Sequence, residues 1–428
     1  MPGKTTQETR EQAHIKIVKR IHEENITMTE MTTGVHDALQ RQYAALQKRT
    51  LLCYQCSKCN SVCPAFRIGE FNPRAFILSS INDGIHKISK DKTMWMCKNC
   101  QACMICPMSI DIPGMVLLAR INALKNRNPP PVTKTGHRRI FSLAQKIQAT
   151  SPIAPVTNKW PFNYQKFTEQ GRLALYTGMM PMWDNLLYNY DLKFITGLRA
   201  ILEAMNRLGI EPAIPAGMKD SGHDAYYGGD EEIFLSFAEY NLKAIEKLGI
   251  ETLVVVNPED YHALKNLYPK YVGDLPAQVI FWTDYLVEKG IVDKLRMQAY
   301  LDVELVVAYH DPCKLGRLNK IYDSPRILLE NIPGVKLVKS RYEREFAPCC
   351  GVTAFIGCDD GSLFLRHERL EEIRELGADA LVTTCPSCVS HYTCAVASMV
   401  LPSGKQPEKM LRVYDLATFM GTRLFHFY

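Results

Sequence analysis

Thirteen of the fifteen cysteines in this 428-residue chain fall into three groups whose spacing suits metal–sulfur chemistry. The first runs Cys53, Cys56, Cys59, Cys63-Pro64, and the second Cys97, Cys100, Cys103, Cys106-Pro107. The third is dispersed as Cys313, the adjacent Cys349-Cys350-Gly351, and Cys385-Pro-Ser-Cys388. A 4Fe–4S cubane needs four thiolates around a small box, and C-x2-C-x2-C lets one tight loop wrap three corners. Zinc, the competing metal, prefers two separated C-x2-C pairs. It suits three thiols in register followed by Cys-Pro poorly, so iron–sulfur is expected at both short-spaced runs.

These runs resemble a two-cluster ferredoxin, in which the cysteine before proline reaches across to the other cluster. The resemblance assigns Cys53, Cys56, Cys59 and Cys106 to one cubane, and Cys97, Cys100, Cys103 and Cys63 to a second. Two residues separate Cys103 from Cys106 where the usual run has three. The dispersed group resembles the CCG domain of heterodisulfide reductases, in which five such cysteines hold a non-cubane 4Fe–4S centre that cleaves or forms disulfides. Cys313, Cys349, Cys350, Cys385 and Cys388 fill all five places and are the expected catalytic set; a structural zinc site is the alternative there. The order of parts over residues 35–420 resembles that of the HdrD component of membrane-linked heterodisulfide reductase. Iron–sulfur components of sulfate-reducer membrane complexes and of glycerol-3-phosphate and glycolate dehydrogenases share it.

The resemblance implies two cubane 4Fe–4S clusters and one non-cubane 4Fe–4S cluster. It implies a catalytic subunit that relays electrons to a disulfide, protein trisulfide or persulfide. The alternative is a non-catalytic relay subunit of a flavin-dependent dehydrogenase. Expected partners are haem- or flavin-containing redox subunits, one of them membrane-embedded, together with a thiol or disulfide substrate, either a small molecule or a small protein.

Composition agrees with a globular protein: 46% hydrophobic and 22% charged residues. The formal net charge of +6 is mild for this length, and no long basic run or RNA-binding signature appears, so nucleic acid is not expected. The first twenty residues are too charged for a signal peptide, and no apolar run reaches the roughly 18–20 residues needed to cross a bilayer. Clustered cysteines without a secretion signal point to metal ligation in a reducing cytoplasm. Any membrane association is expected through a partner.

Five segments position these residues. Residues 1–50 read as a helical extension, clearest from Gly34 to Lys48, where Val35, Leu39, Tyr43 and Leu46 recur at helical spacing. Residues 51–127 form an α-helical two-cluster ferredoxin-like domain, with a helical insertion from Asn72 to Thr93. Residues 128–170 open on Asn128-Pro-Pro-Pro131 and read as an irregular, proline-rich strap. Residues 171–300 and 301–428 read as two copies of one α/β unit, giving a multi-domain α+β and α/β protein with a pseudo-twofold CCG repeat. Gly222, Ala225 and Gly228 match Gly351, Ala354 and Gly357; residues 241–249 match 369–377; Pro258 matches Pro386. In each copy a helix ends at glycine, and a short apolar strand (Thr252–Val256, Ala380–Thr383) delivers a loop, the pattern of a parallel sheet. The first copy has Asp220-Ser221 for Cys349-Cys350, Asn257 and Asp260 for Cys385 and Cys388, and Met179 or Met180 for Cys313. One metal centre is therefore expected in this pair of units.

Fainter signals surround the groups. Cys358 is placed either near the third centre or as a buried thiol, and Cys394 as packing. His310 and Lys314 flank Cys313, while Lys219 and His223 flank the cysteine-free loop; each is a candidate proton donor or anion ligand, with a core or surface role as the simpler reading. Asp359-Asp360 reads as a helix cap.

Overall fold

The computed structural model describes residues 44–133, 137–151, 162, 164–296, 304–398 and 410–427. Residues 44–50 are helical, and Leu46 packs on the ferredoxin-like core; Val35, Leu39 and Tyr43 lie outside the described residues.

The ferredoxin-like part is built from two loops and two main helices. Helix α1 (Pro73–Asn82) starts where Asn72 accepts a hydrogen bond from the Ala75 amide and Pro73 occupies the first turn. Helix α2 (Ile112–Lys125) starts on Asp111, whose side chain accepts from the Gly114 amide. Ten of its fourteen residues are buried, so it is a central rod rather than a surface helix. Phe71, Phe76, Trp95 and Ile110 belong to the core that it shares through Met115 and Val116.

The strap contains a helix, α3 (His137–Thr150), where the sequence suggested irregular chain. It docks through Phe141, which stacks on Phe355 with ring centroids 4.1 Å apart and meets Trp183 at 5.4 Å. Gln145 and Arg138 reach inward beside it. Its apolar side chains Ile140, Leu143 and Ile147 face outward, about half exposed or more.

Two parallel sheets follow. The first has order β1 (Leu173–Tyr176), β2 (Thr252–Val255), β3 (Gln278–Phe281). The second adds an outer strand: β5 (Val335–Val338), β4 (Leu305–His310), β6 (Ala380–Thr383), β7 (Arg412–Asp415). Leu253, Val254, Val255, Leu381 and Val382 are fully buried, as expected of short apolar strands covered on both faces. Helices α4 (Phe194–Arg207), α5 (Glu231–Leu248), α6 (Asp360–Glu375), α7 (Pro386–Ala397) and α8 (Leu416–Leu424) supply the covering layers. Gly249, with φ 64°, caps α5 in the left-handed conformation, and Asp359 caps α6 through a reciprocal capping box with Ser362. The sequence reading of both ends holds.

The two sheets share one core. Helix α8, which follows the last strand of the second sheet, packs on α4 of the first. The crossing is close because Gly197 has no side chain; a Cβ there would lie 2.9 Å from Thr418 Oγ1. Reciprocally, helix Trp282–Glu288, which follows β3, packs on helix Asp323–Glu330, with Thr283 Oγ1 2.7 Å from Ser324 Oγ. Among the described residues no helix is long and apolar enough to cross a membrane.

Candidate metal centres

The two short-spaced cysteine loops have the same backbone turn. Gln55 and Ser57 have φ of 61° and 65°; Asn99 and Gln101, at the same offsets in the second loop, have 44° and 65°. Paired left-handed non-glycine residues cost free energy and mark a chain forced around an object. Cys53, Cys56, Cys59 and Cys106 line one cavity, of about 340 Å³ including its open mouth. Cys63, Cys97, Cys100 and Cys103 line another, of about 320 Å³. The structure thus gathers the eight thiols in the two fours that the crossed ferredoxin arrangement requires, and the short Cys103–Cys106 spacing still delivers Cys106 to the first cavity.

All-sulfur donor sets without carboxylates suit iron–sulfur or another thiophilic metal. Burial pushes the Cys63 thiol up to about 12, and burial followed by the charge of Cys97 and Cys100 pushes Cys103 well above its usual range. Such thiols ionise only when a metal takes the proton's place. The cavities differ in depth: Cys56 is exposed, whereas Cys100 and Cys103 are buried.

The third group gathers at the carboxyl ends of β4 and β6, the usual location of ligand sites in parallel sheets. Cys313 follows His310, the last residue of β4; Cys385 caps α7, and Cys388 lies in its first turn. The Cys350 thiol lies beside those of Cys349 and Cys388, and Cys388 beside Cys385, close enough for each to shift its neighbour's ionisation. Gly351 donates its amide to Cys349 Sγ at 3.4 Å, and His391 Nδ1 lies 3.8 Å from Cys350 Sγ. Cys313 joins electrostatically through Cys350, its thiol pushed up to about 12 mainly by burial. The Cys349 thiol lies beside that of Cys100, and this neighbour draws Cys100 down to about 6. A corner of the second cavity therefore touches the third thiol group directly.

At the matching positions of the first sheet the thiols are replaced by a closed polar plug. Met179 lies three residues beyond Tyr176, as Cys313 lies three beyond His310, which selects Met179 over Met180. Ser221 Oγ donates to Asp260 Oδ1 at 2.5 Å, and Gln145 Nε2 donates to Asp220 Oδ1 at 3.1 Å. Gln148 accepts from the Asp220 amide and donates to Met179 Sδ. Burial pushes the Asp220 and Asp260 carboxyls up to about 7 and about 8, so both are held as neutral acids at low pH.

The fainter candidates are core residues. Lys219 Nζ donates to Ser151 O at 2.6 Å, and His223 pairs with Asp224 at 3.0 Å. His223 and His310 are pushed down to about 4, each chiefly by burial. Lys314 is buried, with Nζ 3.3 Å from the Tyr227 ring centre. Cys358 is buried, with Arg366 Nη2 4.0 Å from its sulfur; Cys394 accepts from Tyr190 Oη at 3.6 Å. Sequence reasoning missed Glu259, which accepts a 2.5 Å bond from Ser387 between Cys385 and Cys388 and so joins the two halves at the third group. It also missed Arg120, Arg317 and His391, whose isolated positions carry no spacing signal.

Comparison with known proteins agrees with this geometry. The model of the cysteine-rich (CCG) domain matches residues 193–265 and 307–393, and that of the 4Fe–4S dicluster domain matches 49–110. The EtfAB:quinone oxidoreductase of Syntrophomonas wolfei is 24% identical over 441 residues, covering 85% of this chain and 57% of that protein. The HdrD component of the dihydromethanophenazine:CoB–CoM heterodisulfide reductase of Methanosarcina barkeri is 30% identical over 161 residues, 37% of this chain and 39% of that one. A probable membrane-anchored ferredoxin of Chromohalobacter salexigens is 24% identical, covering 87% of this chain and 59% of that protein. The chain thus spans under three fifths of the length of these relatives. A crystal structure of a hypothetical protein from Helicobacter pylori shares the fold, with a TM-score of 0.50 and 12% identity over 91% of this chain and 76% of that one. The two domain matches and the gathered thiols together make this chain an HdrD-like iron–sulfur protein, one that joins a 4Fe–4S dicluster domain to a cysteine-rich CCG domain.

Proposed function

We propose that the chain is the iron–sulfur subunit of a heterodisulfide reductase-like complex, with two cubane 4Fe–4S clusters and one non-cubane 4Fe–4S cluster. The first cubane belongs to Cys53, Cys56, Cys59 and Cys106, the second to Cys97, Cys100, Cys103 and Cys63. Cys313, Cys349, Cys350, Cys385 and Cys388 form the site at which a disulfide, trisulfide or persulfide is cleaved or formed. When bound, the clusters supply one-electron transfer. The first sheet with its helices is a second, ligand-free copy of the CCG unit, related to the first by a pseudo-twofold axis. The partners in this reading are a haem- or flavin-containing redox subunit and a thiol or disulfide substrate.

The observation that carries the reading is the continuity of sulfur: four thiols around a cavity that opens at exposed Cys56, four around a second cavity with Cys100 and Cys103 buried, and Cys100 beside Cys349. Around the third site, His391 sits against Cys350, and Glu259, from the unit of the first sheet, accepts from Ser387 between Cys385 and Cys388.

Iron analysis with EPR of the anaerobically reconstituted chain tests the reading. About twelve irons per chain are expected for three 4Fe–4S clusters. Cys350→Ala or Cys388→Ala should remove about four irons and all disulfide turnover while leaving the ferredoxin-type signals; Asp220→Ala should leave every cluster signal in place. Stoichiometric zinc, or about eight irons in the unaltered chain, would refute the third centre.

A further inference from the structure

The loop that carries the second set of thiols is held by its backbone oxygens in an unusual way. Four consecutive carbonyls, from Cys97 to Cys100, each accept from a side chain brought by another part of the chain. Arg120 Nη2, on α2, donates to Cys97 O at 2.6 Å. Thr353 Oγ1, three residues after Cys350, donates to Lys98 O. Lys314 Nζ donates to Asn99 O at 3.2 Å, and Arg317 Nε donates to Cys100 O at 2.6 Å. Three of the four donors are cations. Arg120 and Lys314 are buried, and Arg317 carries a buried Nη2 without a hydrogen-bond partner. Arg317 also binds Ala347 O at 2.6 Å and Glu345 O at 3.1 Å, so one guanidinium bridges the Cys100 loop and the segment leading into Cys349-Cys350.

The first loop is bonded differently. Ser61 Oγ donates to Lys58 O and Gln55 Nε2 to Cys53 Sγ, both neutral donors. The cations near that cavity, Lys58 and Arg74, are exposed and so are screened by water and salt. Burial alone disfavours the added negative charge of a reduced cluster, which would make the deeper centre the harder one to reduce. Buried cations act in the opposite sense, and they act without screening.

We infer that Arg120, Lys314 and Arg317, bonded to the carbonyls of the Cys97–Cys100 loop, hold the inner ferredoxin-type centre at a higher reduction potential than the outer one. Electrons are thereby drawn from the Cys56 edge towards Cys349. Arg317 acts as a positioning residue as well, since it fixes the two thiol loops against each other. The inference rests on the cluster assignment proposed above, and it adds an order of potentials to it: an electron shared between the two ferredoxin-type centres resides on the one beside Cys349.

The test is an EPR-monitored potentiometric titration of the whole iron-loaded chain, with iron content measured alongside. Cys56→Ser, which alters a ligand of the outer centre, identifies the outer signal. Arg317→Gln should lower the potential of the other signal by at least a tenfold shift in its one-electron equilibrium, about 59 mV, and leave the outer signal within a third of that. Arg317→Lys should restore most of the shift, because charge rather than shape is retained. In the unaltered chain the signal moved by Arg317→Gln should be the higher in potential. The inference is overturned if that signal is the lower one, or if it stays put at full iron content. Should Arg317→Gln lose iron, Lys314→Gln takes its place under the same criteria, and an unmoved inner signal there is equally fatal. An unaltered chain that binds no iron at the two ferredoxin-type sites refutes the cluster assignment itself.

Discussion

Gly178→Ala is a small change with a large expected cost, because two penalties meet at one atom. Gly178 follows β1 with φ 54°, a left-handed conformation that costs alanine about 1–2 kcal/mol. Its added Cβ would collide with Asp260 Oδ2 and lie 3.1 Å from Asp260 Cγ. Asp260 cannot simply swing away, since it is buried and its other oxygen is tied to Ser221. Displacing it forfeits that bond and strands a buried polar group, a further loss of about 1–3 kcal/mol. The sum is about 2–5 kcal/mol. Urea unfolding followed by tryptophan fluorescence reads it, since Trp183 and Trp282 are buried in the shared core. The decisive measurement is a double-mutant cycle with Asp260→Ala, which removes the clash and leaves the backbone cost. The two changes should couple favourably by about 1–3 kcal/mol. A Gly178→Ala cost below about 1 kcal/mol, or additivity within about 0.5 kcal/mol, would refute the packing at this plug.

Two more outcomes follow from the same region. The Asp220 and Asp260 carboxyls, pushed up to about 7 and about 8, bind protons in the folded chain that the unfolded chain releases above about pH 4. Their contribution is therefore complete at low pH and lost as pH rises towards 8. On going from pH 5 to pH 8, Asp260→Asn should gain on the unaltered protein by on the order of 1–3 kcal/mol in urea midpoint comparisons; no relative gain would contradict the burial of a neutral acid. Phe141→Ala, which removes the ring stacked on Phe355 and wedged by Trp183, should cost about 3 kcal/mol. Iron bound by the two N-terminal loops should be unchanged by it, as measured by thermal unfolding together with iron content.

The chemistry was legible in the sequence because thiol ligation imposes spacing on the chain. The runs from Cys53 to Cys63 and from Cys97 to Cys106 fold as two turns of one shape, and their eight cysteines line two cavities, four to each. The strands Thr252–Val255 and Ala380–Thr383 were visible as apolar runs after glycine-capped helices. Helix α3 was missed although Ile140, Leu143 and Ile147 recur at helical spacing, and its faces are the reverse of the usual. Its apolar side chains Ile140, Leu143 and Ile147 face outward, while Gln145 and Arg138 face inward to Asp220 and Ala354. A rule that buries the apolar stripe reads such a segment backwards. The cations on the Cys97–Cys100 carbonyls were invisible for another reason: Arg120 and Arg317 lie far apart in sequence and bond to backbone atoms, so nothing in the local pattern marks them.

The exchange of end helices between the two sheets bears on how the chain comes to be made. The face of helix α4 around Gly197 and Ala200 is covered only when α8 arrives, so this part of residues 194–207 waits for residues 416–424 to leave the ribosome. Contacts of such separation form late and slowly. During that wait the thiols from Cys313 to Cys388 would stand on an unfinished surface, open to oxygen and to stray metals. The order of events during synthesis, with the N-terminal loops able to close early and the third group last, makes loading of the cluster proposed at the third group the step that most needs an anaerobic setting or a dedicated carrier.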